Sequence, residues 1–362
     1  MNRHSLTVAV VGATGVVGRT MIQVLNEREF PLGELRLLAS GRSAGRTVSI
    51  DGRTLEIVEA VPEAFDGVDI ALFSAGADVS AELAPAAVAR GAAVIDNSSA
   101  WRMDPGVPLV VSQVNPDDLE GHSGIVANPN CSTMQLAPVL MALRDSVGLE
   151  RVIVDTYQSV SGTGADAIAE LEGQIRAHVS GEPKNASVYP HPIAFNALPE
   201  IDVFLPDGYT REEWKVVNES RKILALPDLR LSCTAVRIPV FVSHSEAVHV
   251  ETRASITPER ARRLFAAVPG VIVQDDPGEH AYPLASEAAG RDEIFVGRVR
   301  RDLSIEDDRG LAFWVVSDNL RKGAATNAVE LAEILRERDW VGSASTRGAR
   351  PYRAPGAIEA TA

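Results

Sequence analysis

Short apolar runs alternate with stretches of helical spacing through the first third of the chain. Leu6–Val11 precedes a helical pattern over Val16–Arg28, and Ile70–Phe73 precedes an Ala-rich helical pattern over Ala77–Arg90. Further short strands are predicted at Leu35–Ala39, Thr47–Ile50, Thr54–Val58 and Ala93–Asp96. This alternation predicts an α/β domain in which helices cover a parallel sheet.

Longer strands separated by fewer helices follow from Arg151 onward. Helices are predicted at Ala165–Val179, Arg211–Leu226 and Pro258–Val268. Strands are predicted at Val152–Ser159, Leu231–Val240, Ala247–Ser255, Ile294–Ile305 and Leu311–Ser317. This order is typical of a mostly antiparallel sheet with helices on one face, so we expect a second, α+β domain.

The length of 362 residues suits two domains of about 150 residues each, with room for a tail. Leu320–Glu337 has the spacing of an amphipathic helix, and we expect it to return to the first domain. The predicted domains are therefore residues 1–131 with 320–342, and residues 132–319. Residues 343–362 carry small, polar and proline residues without periodicity, which predicts a disordered tail.

The composition limits the classes of partner. Lys and Arg number 35 against 49 Asp and Glu, so the net charge is −14. Such a protein repels phosphate backbones and anionic lipid, and we expect neither nucleic acid nor membrane as a partner. No stretch approaches the ~18 apolar residues of a membrane span, so a soluble, cytoplasmic protein is expected. The two cysteines exclude a disulfide framework, and no metal site is indicated.

A glycine-rich segment, Gly12–Gly18 (GATGVVG), lies between the first strand and the first helix. Glycines permit a tight turn and a close backbone approach, and a helix N-terminus offers N–H donors to a pyrophosphate. The alternative is an ordinary glycine turn of an α/β protein. The order of strand, glycines and helix favours a Rossmann-type dinucleotide-binding domain.

The loop after the second strand bears on the choice of nucleotide. NAD-binding chains usually place an acidic residue here, whereas Ser40–Ser43 (SGRS) places Arg42 between two serines. An arginine suits the additional 2′-phosphate of NADP, so NADP is preferred over NAD. The alternative interpretation of Arg42 is a solvated loop residue.

Cys131 is the candidate nucleophile. The segment Asn128–Thr133 (NPNCST) follows a strand-like run and precedes a predicted helix, and the positive end of a helix favours the thiolate. A small buried residue is the alternative, and it is preferred for Cys233, which lies in an alternating strand pattern. His244, between two predicted strands, is the candidate acid/base, whereas packing is the expected role of His249.

These motifs, together with Ile95–Ser99 (IDNSS), Arg237–His244 (RIPVFVSH) and Asp318–Leu320 (DNL), resemble the aspartate-semialdehyde dehydrogenase family over roughly residues 6 to 340. The resemblance implies NADPH-dependent reductive dephosphorylation of L-aspartyl 4-phosphate to L-aspartate 4-semialdehyde through a cysteine thioester, in the biosynthesis of lysine, threonine, methionine and isoleucine. It also implies a homo-oligomer, a dimer or a tetramer, built on the sheet of the second domain. An N-acetyl-γ-glutamyl-phosphate reductase and a non-catalytic NADP-binding sensor are the alternatives.

The resemblance also implies a role for each matching residue. Cys131 corresponds to the nucleophile, His244 to the general acid/base and Gln158 to the residue that positions the acyl group. The residues implied for the substrate and its phosphate are Arg237 for the α-carboxylate, Arg102 and Lys222 for the phosphate, Glu219 for the amino group, and Asn97. Those implied for NADP are Gly12, Thr14, Gly15, Val16, Val17, Arg42, Ser43, Ser161, Gly162 and Asn319.

The assignments in the segment 211–226 stay open. Lys215 and Arg221 compete with Lys222 for the phosphate, because all three lie in one charged predicted helix. Glu219 is uncertain in the same way, because Glu212 and Glu213 lie in the same helix.

Overall fold

The computed structural model describes residues 5–50, 52–342 and 344–355 of the chain. The chain divides into two compact units, the first formed by Met1–Asn130 with Ala324–Ala362 and the second by Cys131–Gly323. The first boundary lies one residue earlier than the sequence predicts, and the second lies four residues later. Cys131 is therefore the first residue of the second unit rather than the last of the first.

The first unit is built on a mostly parallel, seven-stranded sheet. Its strands are β1 (Leu6–Val11), β2 (Leu32–Ala39), β3 (Thr47–Ile50), β4 (Arg53–Glu59), β5 (Ile70–Phe73), β6 (Ala93–Asp96) and β7 (Ile125–Ala127). They lie in the order β3-β4-β2-β1-β5-β6-β7, and only β3 pairs in an antiparallel manner, with β4. This is the predicted Rossmann-type arrangement.

Helices cover both faces of this sheet, because its central strands are apolar on both sides. Val8 and Val10 of β1 face one core, and Ala9 and Val11 face the other. The helices are α1 (Val16–Glu27), α2 (Ala77–Ala89) and α8 (Asn327–Glu337). α1 and α8 contribute to the first core and α2 to the second, so strand ends and loops remain accessible at the edges of the sheet.

The second unit is built on a mixed, mostly antiparallel, six-stranded sheet. Its strands are β8 (Leu149–Gln158), β9 (Arg230–Arg237), β10 (His244–Thr252), β11 (Val271–Val273), β12 (Ile294–Arg301) and β13 (Gly310–Ser317). The order is β11-β12-β13-β10-β8-β9, and the pairs β8–β9 and β11–β12 are parallel. The short strand β11 was not predicted, since three residues carry too little periodicity.

The helices of the second unit include the one that begins at Cys131. They are α3 (Cys131–Val147), α4 (Ala165–Ser180), α5 (Arg211–Ile223), α6 (Pro258–Ala266) and the short α7 (Ala285–Ala288). α3 packs against β8, β10 and β13 and against α5. Alternate residues of β10 are buried, among them His244, Glu246 and Val248, so one face of this strand points into the core.

Strand and helix ends differ from the predictions where the backbone turns. The strand predicted over Leu231–Val240 ends at Arg237, two residues before Pro239. The strand predicted over Ile294–Ile305 ends at Arg301, because the chain then turns through Asp307 and Asp308, which have positive φ. β10 begins at His244 rather than at Ala247, so this histidine lies on a strand and not between two strands.

The helix predicted over Leu320–Glu337 begins with a π-helical turn at Arg321–Thr326 and continues as α8. Gly323 lies in this turn, and a Cβ atom built there would lie 3.0 Å from the Cβ of Cys131. The wider π-helical turn and a residue without a side chain therefore allow the backbone to pass close to the cysteine.

The prediction of a disordered tail is wrong for residues 344–355. They include a short helix, α9 (Ala344–Arg347), and extended chain tied to the first unit. The Tyr352 amide donates a hydrogen bond to the Gly121 carbonyl at 2.7 Å, and the Ala354 amide donates one to the Pro105 carbonyl at 3.0 Å. Backbone pairing needs no side-chain periodicity, which is why the sequence pattern missed it. Residues 343 and 356–362 lie outside the described residues.

Within the described ranges, none of the helices is both long enough and apolar enough to cross a bilayer.

Candidate active site

The glycine-rich turn has the geometry expected of an anion-binding helix start. Gly12 has a φ of +84°, and its amide donates a hydrogen bond to the Leu38 carbonyl at 2.8 Å. Gly15 is the N-cap of α1, and a Cβ on Gly18 would lie 2.2 Å from the Gly12 carbonyl oxygen. Only glycine fits the first position without strain and the last without a clash. The amides at the start of α1 are thus placed to bind a pyrophosphate.

An acidic residue that the sequence analysis missed adjoins the Arg42 loop. Arg42 is exposed and Ser43 is half-buried, in the turn after β2. A Cβ on Gly41 would lie only 2.6 Å from Oε1 of Glu59. Glu59 ends β4, where it is paired with Ala39 of β2. Only this strand pairing could have revealed a carboxylate next to Arg42, because the two are 17 positions apart in the sequence.

Arg102 and Asn97 lie together beyond the carboxyl ends of β5 and β6. The guanidinium of Arg102 is buried, and it donates hydrogen bonds to the carbonyls of Asn128 (3.0 Å) and Asn97 (2.6 Å). The Asn97 side chain donates to the Phe73 carbonyl and accepts a bond from the Asn128 amide. The first unit therefore holds a buried cation in a fixed place, as an anion-binding residue requires.

Cys131 is partly exposed, whereas Cys233 is buried. The thiol of Cys131 belongs to the first residue of α3, where the positive end of the helix dipole favours an anion. Burial, with several nearby carboxyl groups, raises the pKa of Cys233 well above its usual value. This cysteine therefore remains a thiol, which agrees with the packing role expected for it.

His244 is held as a neutral ring with one defined tautomer. The Ser159 amide donates a hydrogen bond to its Nδ1 at 3.0 Å, so a neutral ring carries its proton on Nε2. Nε2 is buried and has no hydrogen-bond partner in the part of the chain that the structure describes. Burial and the neighbouring Arg237 lower the pKa of His244 to about 3. A neutral ring therefore offers a hydrogen-bond donor at Nε2.

Arg237 lies next to His244 and has an unused donor. Its Nη1 donates a hydrogen bond to the Ser159 carbonyl at 2.7 Å. The side chain is only 5% exposed, and its buried Nε has no hydrogen-bond partner among the described residues. A Cβ on Gly162 would lie 3.1 Å from Arg237 Nη1 and 3.3 Å from His244 Nε2. Gly162 thus packs closely against both groups, and any side chain at this position would crowd them.

Gln158 connects the end of β8 to α3 and α5. Its Nε2 donates hydrogen bonds to Ser132 Oγ at 2.5 Å and to Glu212 Oε1 at 3.2 Å. Ser132 follows Cys131 directly on α3. The side-chain amide is therefore fixed beside the residue that would carry an acyl group.

Glu212 and Lys215, which the sequence analysis set beside Glu219 and Lys222 as alternatives, belong to this cluster. Lys215 Nζ donates hydrogen bonds to Glu212 Oε2 at 3.0 Å and to Asp202 at 2.8 Å. Burial alone would lower the pKa of Lys215, but Glu212 and Asp202 together raise it above its usual value. The negative charge of Glu212 also raises the pKa of His244, against the larger effects of burial and Arg237.

Glu219 and Lys222 lie on the same face of α5, each seven residues beyond Glu212 and Lys215. Seven residues are about two turns, or ~10.5 Å along the axis. This repeat explains why the sequence could not separate the two pairs. Arg221 is engaged at the far end of the helix, where it donates to the Leu229 carbonyl.

Ser161 and Asn319 lie around the segment that holds His244. Asn319 Oδ1 accepts hydrogen bonds from the Ser159 and Ser161 hydroxyls and from the Ser243 amide, at 2.9–3.1 Å. Of these four residues, only Ser161 and Asn319 are predicted to contact the nucleotide. In the second unit the four hold in place the backbone that sets the His244 tautomer.

His249 does not join this cluster. It lies on the opposite face of β10, where its Nδ1 is 2.9 Å from Asp302 Oδ2. Its ring is partly exposed, so the packing role expected from the sequence is wrong. Across the described residues, no group of three or more His, Cys, Asp or Glu side chains is placed to hold a metal ion.

Comparisons with known proteins match both units. Residues 7–122 match the model of the semialdehyde dehydrogenase NAD binding domain, and residues 140–322 match that of the semialdehyde dehydrogenase dimerisation domain. With the two sheets described above, these matches define a two-domain oxidoreductase with an NAD(P)-binding Rossmann-type domain.

Individual relatives narrow this class. The chain is 53% identical to an aspartate-semialdehyde dehydrogenase of Aquifex aeolicus over 91% of this chain and 97% of the relative. It is 49% identical to an aspartate-semialdehyde dehydrogenase of Bacillus subtilis over 93% of this chain and 99% of the relative. A crystal structure of aspartate semialdehyde dehydrogenase II complexed with ASA, from Vibrio cholerae, superimposes with a TM-score of 0.89 at 46% identity and covers 93% of this chain and 99% of that one. The chain belongs to the aspartate-semialdehyde dehydrogenase family.

Proposed function

We propose that this protein catalyses the NADPH-dependent reductive dephosphorylation of L-aspartyl 4-phosphate to L-aspartate 4-semialdehyde and phosphate, a step toward lysine, threonine, methionine and isoleucine. The observation that carries the proposal is the buried Arg237 guanidinium, whose Nε has no hydrogen-bond partner among the described residues and which lies beside His244 and Gly162. A substrate with a free α-carboxylate satisfies that donor. Membership of the family supports the same substrate class.

The thiolate of Cys131 is the proposed nucleophile. It attacks the acyl carbon of the mixed anhydride, a C–S bond forms, and the C–O bond to phosphate breaks, which leaves an acyl thioester. NADPH, when bound, supplies the hydride that reduces this thioester to the aldehyde. Cys131 then leaves as a thiolate and is ready for the next turnover.

His244 is proposed to act as the donor of a hydrogen bond, through Nε2, to the oxygen that becomes negative in each tetrahedral intermediate. The Ser159 amide occupies Nδ1, so a neutral ring offers N–H and no lone pair toward the substrate side. The position of Cys131 at the start of α3 favours its ionisation without a charged histidine.

The other substrate contacts follow from the second unit. We propose that Arg237 binds the α-carboxylate through a bidentate contact and that Gln158 positions the acyl group. Glu212 replaces Glu219 as the proposed partner of the substrate amino group, and Lys215 replaces Lys222 as the proposed phosphate-binding residue, because Gln158 and His244 are near the first pair. Arg102 is proposed as a phosphate-binding residue of the first unit.

NADP is the proposed nucleotide. The turn Gly12–Val17 is proposed to bind the pyrophosphate, and Arg42 with Ser43 the 2′-phosphate of the adenosine ribose. Glu59 is proposed to weaken this preference, because its carboxylate repels the 2′-phosphate and accepts hydrogen bonds from ribose hydroxyls.

A homo-oligomer is proposed as the working form, built on the outward face of the second sheet. Alternate side chains of β8 and β10 are half-buried there, and Tyr157 packs on Trp314 at a ring-centroid distance of 5.4 Å. The match of residues 140–322 to a dimerisation domain supports this proposal.

The test is NADP-linked oxidation of L-aspartate semialdehyde in the presence of phosphate, with N-acetyl-glutamate semialdehyde as the competing substrate. We expect turnover with the first aldehyde only, and loss of turnover after alkylation of Cys131. Turnover with the acetylated aldehyde would favour the sister reductase. NADP binding without reaction of either aldehyde would favour the sensor.

A further inference from the structure

A fully buried carboxyl group lies two residues beyond His244. Glu246 has no exposed surface, and it points to the same side of β10 as His244 because side chains alternate along a strand. Neither of its carboxyl oxygens has a hydrogen-bond partner among the residues that the structure describes. The proposed reaction assigns no role to this residue.

Uncharged residues flank Glu246 on the two neighbouring strands, and the buried thiol of Cys233 is a titratable group near it. Glu246 is paired with Thr156 on β8 and with Val315 on β13. Burial raises the pKa of Glu246 well above its usual value, and only the side chain of Gln135 acts against this effect. An ionised carboxylate without a cation is very costly in such a place, whereas a carboxylic acid is tolerated.

Gln135 relates this acid to the candidate nucleophile. It lies on α3 one turn after Cys131, so the two residues share a helix face. Its Oε1 accepts a hydrogen bond from the Ser317 hydroxyl at 2.7 Å. Ser317 in turn is paired with His244 across β10 and β13. Gln135 and Ser317 thus join α3 to β13, while Nε2 of Gln135, like the carboxyl of Glu246, has no hydrogen-bond partner among the described residues.

We propose that Glu246 is a positioning residue, which in its uncharged acid form ties β10 to α3 through Gln135 and so keeps Cys131 and His244 in place. An uncharged acid can both donate and accept one hydrogen bond, which matches the amide of Gln135. This role rests on the proposed function only for its effect on the rate of turnover. The reactivity of Cys131 toward alkylation can be measured without turnover.

Three variants test this role. Glu246→Gln keeps a neutral group of the same shape, Glu246→Leu removes both polar atoms, and Glu246→Asp withdraws the acid by one methylene group. Glu172→Gln, on the exposed side of α4, is the matched control. The measurements are the rate of Cys131 alkylation by iodoacetamide as a function of pH, and infrared difference spectra of the carboxylic-acid C=O stretch at neutral pH.

We expect alkylation of Glu246→Gln within about twofold of the wild-type rate, with the same pH profile. We expect at least a tenfold loss, with a shifted profile, in Glu246→Leu, or in Glu246→Asp should the leucine variant fail to fold. The carboxylic-acid band of the wild type should be absent in Glu246→Gln and present in Glu172→Gln.

Wild-type alkylation in both Glu246→Leu and Glu246→Asp would overturn the positioning role. Slow alkylation of Glu246→Gln, or a wild-type spectrum without the acid band, would overturn the uncharged form. If the alkylation rates follow the expected pattern but the protein does not oxidise aspartate semialdehyde, the proposed function is refuted and this inference stands.

Discussion

At His244 a single backbone hydrogen bond decides which ring nitrogen carries the proton. The Ser159 amide donates to Nδ1, burial and Arg237 disfavour the imidazolium, and the pKa falls to about 3. The sequence predicts a histidine between two strands but not its protonation state, because that depends on residues 85 positions away. We propose that the residue acts as a neutral hydrogen-bond donor instead of the general acid/base that the resemblance implies.

The depressed pKa predicts how stability depends on pH. An unfolded His244 binds a proton near pH 6.5, while the folded one does so near pH 3, so the unfolded state holds more protons between these values. His244 therefore contributes to the loss of stability as the pH falls from about 6.5 toward 3, by a few kcal/mol (~1.4 kcal/mol for each pH unit).

Chemical denaturation of wild type and His244→Gln at pH 7 and pH 4 measures this contribution. We expect the variant to lose less stability on acidification than the wild type. His191→Gln is the control, since His191 is exposed. An equal loss of unfolding free energy between pH 7 and pH 4 in the wild type and in His244→Gln would contradict a neutral, buried ring.

Arg237→Lys tests the unpaired donor. A lysine keeps the positive charge but cannot make a bidentate contact with a carboxylate, so we expect KM for aspartate semialdehyde to rise by about tenfold or more, through loss of ~1.5–3 kcal/mol. Steady-state kinetics with saturating NADP and phosphate provide the measurement. An unchanged KM would remove Arg237 from the substrate site.

At the scale of elements, α5 shows how a helix can place two equivalent pairs of residues on one face. Glu212 with Lys215 and Glu219 with Lys222 differ by two turns, and their local sequences predict the same chemistry. The choice between them depends on the neighbour, because β8 ends at Gln158 beside the first turns of the helix. Helical periodicity predicts the face that is buried but not the turn that meets another element.

Parallel substitutions of the two lysines separate the pairs. We expect Lys215→Ala to raise KM for phosphate about tenfold or more, because a charge-assisted contact is lost. Lys222→Ala should stay within about twofold of the wild type. The opposite ranking of the two KM values would restore the original assignment.

The loop after β2 lies beside a second strand, β4, whose last residue is Glu59. Arg42 is proposed to favour a 2′-phosphate, and Glu59, from the neighbouring β4, is proposed to oppose it. We expect Arg42→Ala to weaken NADP binding and spare NAD, and Glu59→Gln to strengthen NADP binding relative to NAD. Titration calorimetry with both nucleotides measures the two affinities, and equal effects on NADP and NAD would show that this loop does not select the phosphate.

At the scale of the whole molecule, the proposed nucleotide-binding turn and the proposed nucleophile belong to different units. The glycine-rich turn belongs to the first unit, and Cys131 is the first residue of the second. Each unit has its own sheet and its own core, so a small change in one should leave the ligand site of the other intact.

Cys131→Ala tests this separation. We expect turnover to fall below a few per cent of the wild type, because the nucleophile is absent. We expect NADPH binding, measured by fluorescence titration, to stay within about twofold. Substantial residual activity would refute the nucleophile, and a large loss of NADPH affinity would show that the two functions are not separable.

The alternation of strands and helices, the glycine turn, the cysteine at a helix start and both fold classes follow from local patterns of 5 to 20 residues, since backbone propensity and burial act over that range. Contacts between segments far apart in the sequence determine the tautomer of His244, the proximity of Glu59 to the Arg42 loop and the burial of Glu246, and they support the proposed choice of Lys215 over Lys222. Hydrogen bonding and desolvation act between neighbours in space, so only the tertiary structure decides them.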